Sequence, residues 1–426
     1  MGLCSHLSNP IPQKSGHQSL RWINKLKIPV PTVGTSPAEI ENSTRAEIKS
    51  SWSPMNFAMP WAHQMANFYP SDRGKDLQTF KPVSSSERNV WAFWNRGLAN
   101  CPQWCQRNVI IWVRRLGPAW TVRVLDLVEG SPTHALKYLP SSFLADAVIN
   151  QKMTGTHVGP HSGDLVRLPL VYLYGGVWMD VGTFLFKSLD TLCWNLLEDP
   201  NPPFEMAGYG FPMGPESSIF YNGFIAGQKG SLCIKYWHNI FLEVWKAVTN
   251  CDSMRNHPLL QHLPKYQTPQ GPTTGWDGPE FFENKALILD GVRDVYWAQI
   301  LTNWDGRKQF ELLSTFREGA SPDDEQYQEA DAFVKSVLEM CSILKASHGL
   351  FVHGREYLAT IWGQPENCDA DRKPGTFAAY LRWASEHFEQ SREVPLTTMT
   401  IVKDALLVGG ITDGIGETHP DRALDL

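Results

Sequence analysis

Residues 161–190 constrain the fold most strongly, because their apolar spacing changes from that of a helix to that of a strand. Their sequence is HSGDLVRLPLVYLYGGVWMDVGTFLFKSLD. The first part predicts an amphipathic helix that ends at Gly175–Gly176, since glycine adopts the left-handed conformation that terminates helices. Asp164 and Arg167 are three residues apart and so share one face of this helix. We expect Asp164 in the first helical turn, where the helix dipole favours a carboxylate.

Asp180 follows a short apolar strand, Val177–Met179, and a second strand is predicted at 184–189. Ligands of α/β sheets bind outside the carboxyl ends of the strands, so Asp180 lies where a ligand would bind. We therefore take Asp180, Asp164 and Arg167 as candidate site residues. The alternative is that Asp164 and Arg167 form an ordinary ion pair on the helix surface and that Asp180 only begins a turn.

The segments before this stretch predict an α/β fold. Buried strands are expected at 89–94 and 120–127, with an amphipathic helix at 102–116 between them, and a further helix at 136–147. Strand, helix and strand in this order predict a doubly wound, Rossmann-like central sheet with helices on both faces. Seventeen tryptophans are interpreted as core residues rather than as stacking surfaces for a ligand.

The composition divides the chain and excludes some functions. Residues 1–80 are weakly patterned and predict an N-terminal arm, so that 81–426 form the catalytic domain. The sequence contains no apolar stretch of about 18 residues, so no transmembrane helix is predicted. The eight cysteines lack the spacing of a zinc site and are typical of reduced thiols in a cytoplasmic protein. A net charge of −6 does not favour non-specific binding to polyanions.

The stretch SGDLVRLPLVYLYGGVWMDVG resembles the core of glycosyltransferase-like proteins of the capsular-polysaccharide-synthesis or DXD sugar-binding group. The resemblance implies a GT-A-like fold, in which the acid after the two glycines begins a DXD motif. It implies that Asp180 helps to hold a divalent metal ion and a nucleoside diphosphate, although Gly182 stands where the second acid would be. The residues that it implies for substrate binding are Asp164, Arg167, Gly175, Gly176 and Trp178.

Two downstream segments add candidates. In the resembling families a polar residue of the returning strand lies beside the donor, which makes Asn222 in the strand 218–227 a candidate contact. The loop 268–282 is dense in glycine, proline and threonine and carries Asp277 and Glu280, candidate catalytic acids on a segment of the kind that often holds such groups. Ordinary turns are the alternative for both segments.

Two further patterns are given structural or default roles. The literal DXD string at 369–371 follows no strand and is interpreted as a solvated turn. Four arginines could contact nucleic-acid phosphate, although a solvated helix face is the default for them. They are Arg107, Arg114, Arg115 and Arg123.

Among fungal proteins of this group, the resemblance extends to relatives that are arginine-containing cyclodipeptide synthases, and we take this activity as the leading hypothesis. Such enzymes use aminoacyl-tRNA to join arginine to a second amino acid as a diketopiperazine in secondary metabolism. The site would have to hold a guanidinium and accept a proton from an amine, for which carboxylates are suited. The acids concerned are Asp164, Asp180, Asp277 and Glu280.

Two alternatives stay open. The first is a cytosolic glycosyltransferase in which Asp180 and Mg²⁺ or Mn²⁺ bind a nucleotide-sugar, and Asp277 or Glu280 acts as the base. The second is a binding module that kept the fold and lost catalysis.

Overall fold

A computed structural model describes residues 71–155, 157–201, 204–212 and 218–251, together with shorter segments between 257 and 400. These segments are 257–260, 265–268, 271–274, 285–290, 295–297, isolated positions within 328–339, 341–346, 362, 365–373, 376–393 and 396–400. No helix within these ranges is both long and apolar enough to cross a lipid bilayer.

Helices and strands alternate through the first part of the chain. The α-helices whose bounds lie in the described ranges are α1 (Ser71–Asp76), α2 (Gln103–Leu116), α3 (Asp146–Ile149), α4 (Val158–Tyr174), α5 (Asn195–Glu198), α6 (Leu232–Val244) and α7 (Phe377–His387). The strands of the first part are β1 (Asn89–Phe93), β2 (Thr121–Leu125), β3 (Gly176–Met179), β4 (Thr183–Leu185), β5 (Met206–Pro212) and β6 (Ser218–Gly227). The later strands are β7 (Lys265–Thr268), β8 (Gly271–Thr274), β9 (Lys285–Asp290), β10 (Val295–Trp297), β11 (Ile343–Lys345) and β12 (Leu396–Thr400).

The strands form a mixed central sheet with two smaller sheets. The central sheet has the order β12-β9-β5-β6-β3-β1-β2, and β1 is parallel to both β2 and β3. The strand β6 returns antiparallel to β3. A three-stranded sheet, β10-β11-β4, stands apart from it, and β7 and β8 form a hairpin. The chain is therefore an α/β protein with a parallel-rich core region, as predicted, whereas a GT-A arrangement in detail stays a prediction.

Alternate residues of β1 belong to two different cores, which places packed layers on both faces of the sheet. Val90 and Ala92 join one cluster, which includes residues of α2, α7 and β4. Trp91 and Phe93 join the other, which includes residues of α4 and α6. Every tryptophan among the largest fully buried side chains packs inside one of these cores, which fits the interpretation of tryptophan as a core residue. They are Trp91, Trp104, Trp112, Trp178, Trp194, Trp237, Trp245 and Trp362.

Several local predictions are confirmed and others are wrong. The strands β1, β2 and β6 and the helix α2 lie where the pattern predicted them. The helix predicted at 136–147 is replaced by two 3₁₀ turns and α3, because Pro140 interrupts the segment with a backbone that lacks an N–H donor. The strand predicted at 184–189 is limited to β4, and a π-helical turn begins at Asp190.

The string at 369–371 is not a solvated turn, because Asp371 is buried between two arginines. Its carboxylate accepts hydrogen bonds from Arg107 of α2 and from Arg382 of α7. Arg382 also donates to the main-chain oxygen of Trp104 at 3.0 Å. Asp369, in contrast, keeps half of its side chain exposed. Asp371 therefore joins α2 to α7, since it pairs with one buried guanidinium from each helix.

The four arginines considered for phosphate binding are all engaged within the protein. Arg107 and Arg123 are buried, and Arg123 donates to the main-chain oxygens of Lys81 and Pro82. Arg114 pairs with Glu386, and Arg115 donates to main-chain oxygens and to Glu389. Neither the phosphate-binding role nor the solvated helix face describes these arginines.

Asp371→Asn should lower the free energy of unfolding by about 3–5 kcal/mol, because it leaves the buried Arg382 guanidinium without a counter-charge and Arg107 with only the half-exposed Asp369. Asp369→Asn is the matched control, and it should cost less than about 1 kcal/mol because half of the Asp369 side chain is exposed and Arg107 keeps its pair with Asp371. Urea denaturation followed by tryptophan fluorescence measures both. Equal stability losses in the two variants would contradict the joining role of Asp371.

His238 of α6 is a buried imidazole that stacks on Phe143, with ring centroids 5.8 Å apart. Neither of its ring nitrogens has a hydrogen-bond partner in the described residues. Burial lowers the pKa of His238 to about 3. The folded protein therefore holds this imidazole neutral at pH values where the unfolded chain would protonate it.

The contribution of His238 to stability should be complete above pH 6.5 and decline as the pH falls toward 3. At pH 5 the loss should be about 2 kcal/mol relative to pH 7.5, because only the unfolded state binds the proton. His238→Phe should remove this part of the pH dependence while keeping the stacked ring. Denaturation curves at pH 7.5 and 5 test this, and an unchanged difference between the two pH values in the variant would contradict it.

Candidate functional site

Asp180 lies in the turn where the chain leaves the central sheet and enters the three-stranded sheet. Its main-chain N–H donates to the oxygen of Gly223 on β6 at 3.0 Å, which continues the pairing of β3 with β6. Its main-chain oxygen accepts from the N–H of Thr183 at 3.0 Å, where β4 begins. The carboxyl end of β3 therefore presents Asp180 at the edge of the sheet, as the sequence predicts.

Both carboxylate oxygens of Asp180 accept hydrogen bonds from the protein. Trp178 Nε1 donates to Oδ1 at 2.9 Å, and Lys345 Nζ donates to Oδ2. About a quarter of the Asp180 side chain stays exposed to solvent. Burial raises the pKa of the Asp180 carboxyl, but the Lys345 ammonium and the Arg167 guanidinium outweigh burial and hold that pKa below its ordinary value.

Lys345 is the partner that sequence reasoning missed. It lies on β11, opposite Thr183 of β4, and its side chain is buried. The centre of the Tyr221 ring on β6 lies 5.4 Å from its ammonium nitrogen. Burial lowers the pKa of Lys345, but Asp180 and Tyr221 outweigh burial and hold it above its ordinary value, so the side chain is charged at neutral pH. Burial raises the pKa of Tyr221 to about 12, so its hydroxyl stays protonated.

A second pair of opposite charges lies beside the first. Arg167 of α4 donates to the Asp164 carboxylate and to the main-chain oxygen of Asn222. The Asn222 amide reaches Asp164 Oδ1 at 3.4 Å, and the Arg167 guanidinium lies 5.0 Å from the centre of the Trp178 ring. Asp164, Arg167, Trp178, Asp180 and Asn222 are thus brought together, as the sequence predicts.

Asp164 does not lie in the first turn of its helix, which corrects one prediction. The helix α4 begins at Val158, and no acidic residue lies in its first turn. The helix dipole acts within the first turn and therefore does not hold this carboxylate. The pair with Arg167 is also not a surface pair, because the two side chains are only 13% and 6% exposed.

Gly175 and Gly176 lie at the opposite end of β3 from Asp180, away from the charged cluster. Both have positive φ, at 66° and 107°. A Cβ on Gly176 would lie 2.3 Å from the main-chain oxygen of Asn89, and one on Gly175 would lie 2.5 Å from the Glu87 carboxylate. The structure gives these glycines a packing role, so their predicted contact with substrate has no support in their position.

A cavity of about 490 Å³ lies at the carboxyl ends of β1 and β2. Asn95 and Asn100 line it after β1, and Leu127 and Val128 line it after β2. Ser162 of α4, one half-turn before Asp164, lines it as well. The cavity has the size of a small-molecule site, and polar or charged residues, among them Arg96, Glu129 and Gln151, form about half of its lining.

Comparison with known proteins identifies the group. The family described as capsular polysaccharide synthesis protein matches residues 61–263. The glycosyltransferase afumC of Aspergillus fumigatus is 52% identical over 387 residues, which cover 84% of this chain and 99% of that protein. The O-glycosyltransferase braB of Annulohypoxylon truncatum is 42% identical over 372 residues, covering 79% and 88%. The O-glycosyltransferase PaGT of Phomopsis amygdali is 35% identical over 355 residues, covering 75% and 86%. The chain belongs to this family of fungal glycosyltransferases.

Membership in this glycosyltransferase family corrects the leading hypothesis of the sequence analysis. The three relatives match this chain over 86–99% of their own length, and all three are named as glycosyltransferases. None of the three is named as a cyclodipeptide synthase. The cyclodipeptide synthase activity and its aminoacyl-tRNA partner are therefore wrong, and the alternative is favoured.

The described residues do not form the divalent-metal site that the resemblance to DXD glycosyltransferases implied. Both oxygens of Asp180 are already engaged, and Gly182 brings no ligand. Nowhere in the described ranges do three His, Cys, Asp or Glu side chains approach closely enough to share a metal ion. Lys345 instead places a positive charge against the carboxylate oxygen that a metal would need. The described part of the site therefore offers a lysine where the resemblance implied a metal.

Some predictions lie outside the described residues or are not tested. Asp277 and Glu280, the candidate catalytic acids, lie outside the described ranges. The boundary between arm and catalytic domain at residue 80, like the cytoplasmic location, also stays a prediction.

Gly176→Ala should destabilise the protein by several kcal/mol or prevent folding, because the new methyl group would overlap the main chain of Asn89. Gly230→Ala is the matched control, since Gly230 has a φ of 80° but open space around it. That variant should lose only about 1–2 kcal/mol through backbone strain. Thermal unfolding compares the two, and similar losses would contradict the packing role of Gly176.

Proposed function

We propose that the protein is a glycosyltransferase that moves a sugar from a nucleoside-diphosphate donor to a hydroxyl group of its acceptor. The observation that carries the proposal is the cluster of Asp164, Arg167, Asp180 and Lys345 at the sheet edge, next to the strand that leads into the cavity. Family membership supports the reaction class, and the names of two relatives as O-glycosyltransferases support a hydroxyl acceptor.

The cavity suits the nucleoside of the donor. Leu127 and Val128 offer apolar contacts for a base, and the amides of Asn95 and Asn100 offer hydrogen bonds to its edge or to the ribose. Its volume of about 490 Å³ lies within the usual range for a small-molecule site. The nucleoside would therefore bind over the carboxyl ends of β1 and β2.

The order of the strands supports a position of the diphosphate toward Asp180. The strand β1 lies between β2 and β3, and neighbouring strands are about 4.8 Å apart. A diphosphate that leaves the cavity toward β3 would reach the charged cluster within one or two strand spacings. The bond that breaks, between the sugar and the diphosphate, would then lie beside Asp180 and Lys345.

The reaction needs an acceptor hydroxyl that attacks the anomeric carbon and a base that takes its proton. Asp277 and Glu280 stay the proposed bases, in the segment that follows β8 in sequence. Asp180 is hydrogen-bonded at both oxygens and is held ionised, which suits it to orienting neighbouring groups rather than to accepting a proton.

Incubation of the purified protein with a panel of uridine and guanosine diphosphate sugars should show release of the free nucleoside diphosphate, by hydrolysis or by transfer to an added alcohol. Asp180→Asn keeps the shape of the side chain and removes its charge, so turnover should fall about 100-fold or more. Asp369→Asn is the control, because it removes an exposed carboxylate distant in sequence from the cluster.

Coupled detection of the released nucleoside diphosphate measures turnover, and circular dichroism verifies that each variant is folded. Consumption of no sugar nucleotide from the panel would refute the proposed function. Turnover of Asp180→Asn close to that of the unaltered protein would leave the function intact and refute the position of the site.

A further inference from the structure

We propose that the Lys345 ammonium, rather than a divalent cation bound by acidic side chains, meets the diphosphate of the donor at the carboxyl end of β3. The inference rests on the proposed function and adds to it a binding residue and the absence of a metal requirement.

Lys345 lies beside the turn that would carry a DXD motif. The pairing of β11 with β4 places Lys345 opposite Thr183. The next N–H, from Ala346, donates to the main-chain oxygen of Gly182 at 2.9 Å. The lysine is therefore held alongside the segment from Asp180 to Thr183, in which Gly182 provides no acid.

Both carboxylate oxygens of Asp180 are occupied by donors of the protein. Its Oδ1 accepts from Trp178 and its Oδ2 accepts from Lys345, so the carboxylate is an anchor for a cation that belongs to the protein. A divalent ion at the same oxygen would have to displace the ammonium or lie against it, and two like charges in contact repel strongly in a partly buried site. Asp180 on its own would also leave such an ion with a single carboxylate ligand from this turn.

The Lys345 ammonium can donate a hydrogen bond to a further partner. A lysine ammonium has three N–H donors. Asp180 Oδ2 accepts from one of them, the centre of the Tyr221 ring lies 5.4 Å away, and no other hydrogen-bond acceptor for Lys345 is present in the described residues. A diphosphate oxygen could accept another in a charge-assisted hydrogen bond, while Asp180 keeps the ammonium in place.

The chemistry balances without a metal ion. The acceptor oxygen forms a bond to the anomeric carbon, the bond from that carbon to the diphosphate oxygen breaks, and its electron pair stays on the diphosphate. The acceptor proton passes to the base. Lys345 keeps its proton throughout and stabilises the negative charge that develops on the departing diphosphate, which is the task of a fixed cation in phosphoryl and glycosyl sites.

The experiment measures the binding of UDP and of GDP by isothermal titration calorimetry, first in EDTA and then with Mn²⁺. The variants are Lys345→Met, Lys345→Arg and the control Lys187→Met. Lys187 is a second buried lysine, but its ammonium donates to the main-chain oxygens of Gln390 and Arg392. Comparison of the two methionine variants therefore separates the effect of losing any buried lysine from the effect of losing the cation beside Asp180.

At least one of the two nucleotides should bind the unaltered protein equally well in EDTA and in Mn²⁺. Lys345→Met should weaken this binding at least 10-fold, Lys345→Arg should recover part of it, and Lys187→Met should leave it unchanged. Donor turnover in EDTA should follow the same order. Turnover of the unaltered protein in EDTA also tests the inference without depending on the folding of any variant.

Three results would overturn the inference, and they differ in what else they affect. Binding and turnover that need Mn²⁺ would overturn it and leave the proposed function standing, as would affinity that is unchanged in Lys345→Met. Binding of neither nucleotide under either condition, together with consumption of no sugar nucleotide, would refute the proposed function itself.

Discussion

The buried ion pair between Asp180 and Lys345 is the interaction on which the site depends, because it joins the central sheet to the three-stranded sheet by a charge from each. Asp180 ends a strand of the central sheet, and Lys345 lies on the three-stranded sheet. Tyr221, on β6, adds a contact from the next strand of the central sheet. A buried charge without a partner is costly, so neither charge can be buried until both sheets are in place. Assembly of the two sheets and assembly of the site are therefore coupled.

Sequence periodicity predicts the local parts of this arrangement and not the contacts that unite them. The strands β1 and β2 and the helix α2 follow from apolar spacing, and the position of Asp180 at a sheet edge follows from the strand before it. Lys345 is 165 positions away from Asp180, and no local pattern distinguishes it from other lysines on short strands. The pairing of β11 with β4 alone brings the two together, and that pairing is a property of the tertiary structure.

The errors have a common physical origin, since the same side chain can serve solvent, a ligand or the core. Asp371 and Arg107 are 264 positions apart. Taken alone, Asp371 predicts a solvated turn and Arg107 a solvated or phosphate-binding side chain, although the two form a hydrogen-bonded ion pair in the core. The resemblance similarly implies substrate binding for Gly176 and Trp178. In the structure Gly176 makes room for a main chain and Trp178 orients a carboxylate, roles that are independent of the substrate. Such residues indicate the fold of the site more securely than its reaction.

The charges of the cluster show how a carboxylate is compatible with the proposed binding of a diphosphate. Asp164 and Arg167 offset each other, as do Asp180 and Lys345, so the described cluster is close to neutral before a diphosphate binds. Asp180 weakens the attraction of Lys345 for the diphosphate, which would be a disadvantage if attraction were its only effect. Burial alone lowers the pKa of Lys345, however, and Asp180 is the largest influence that raises it. In the proposed site the acid therefore maintains the cation that would meet the donor, and it would act on the donor through Lys345 rather than through a metal ion.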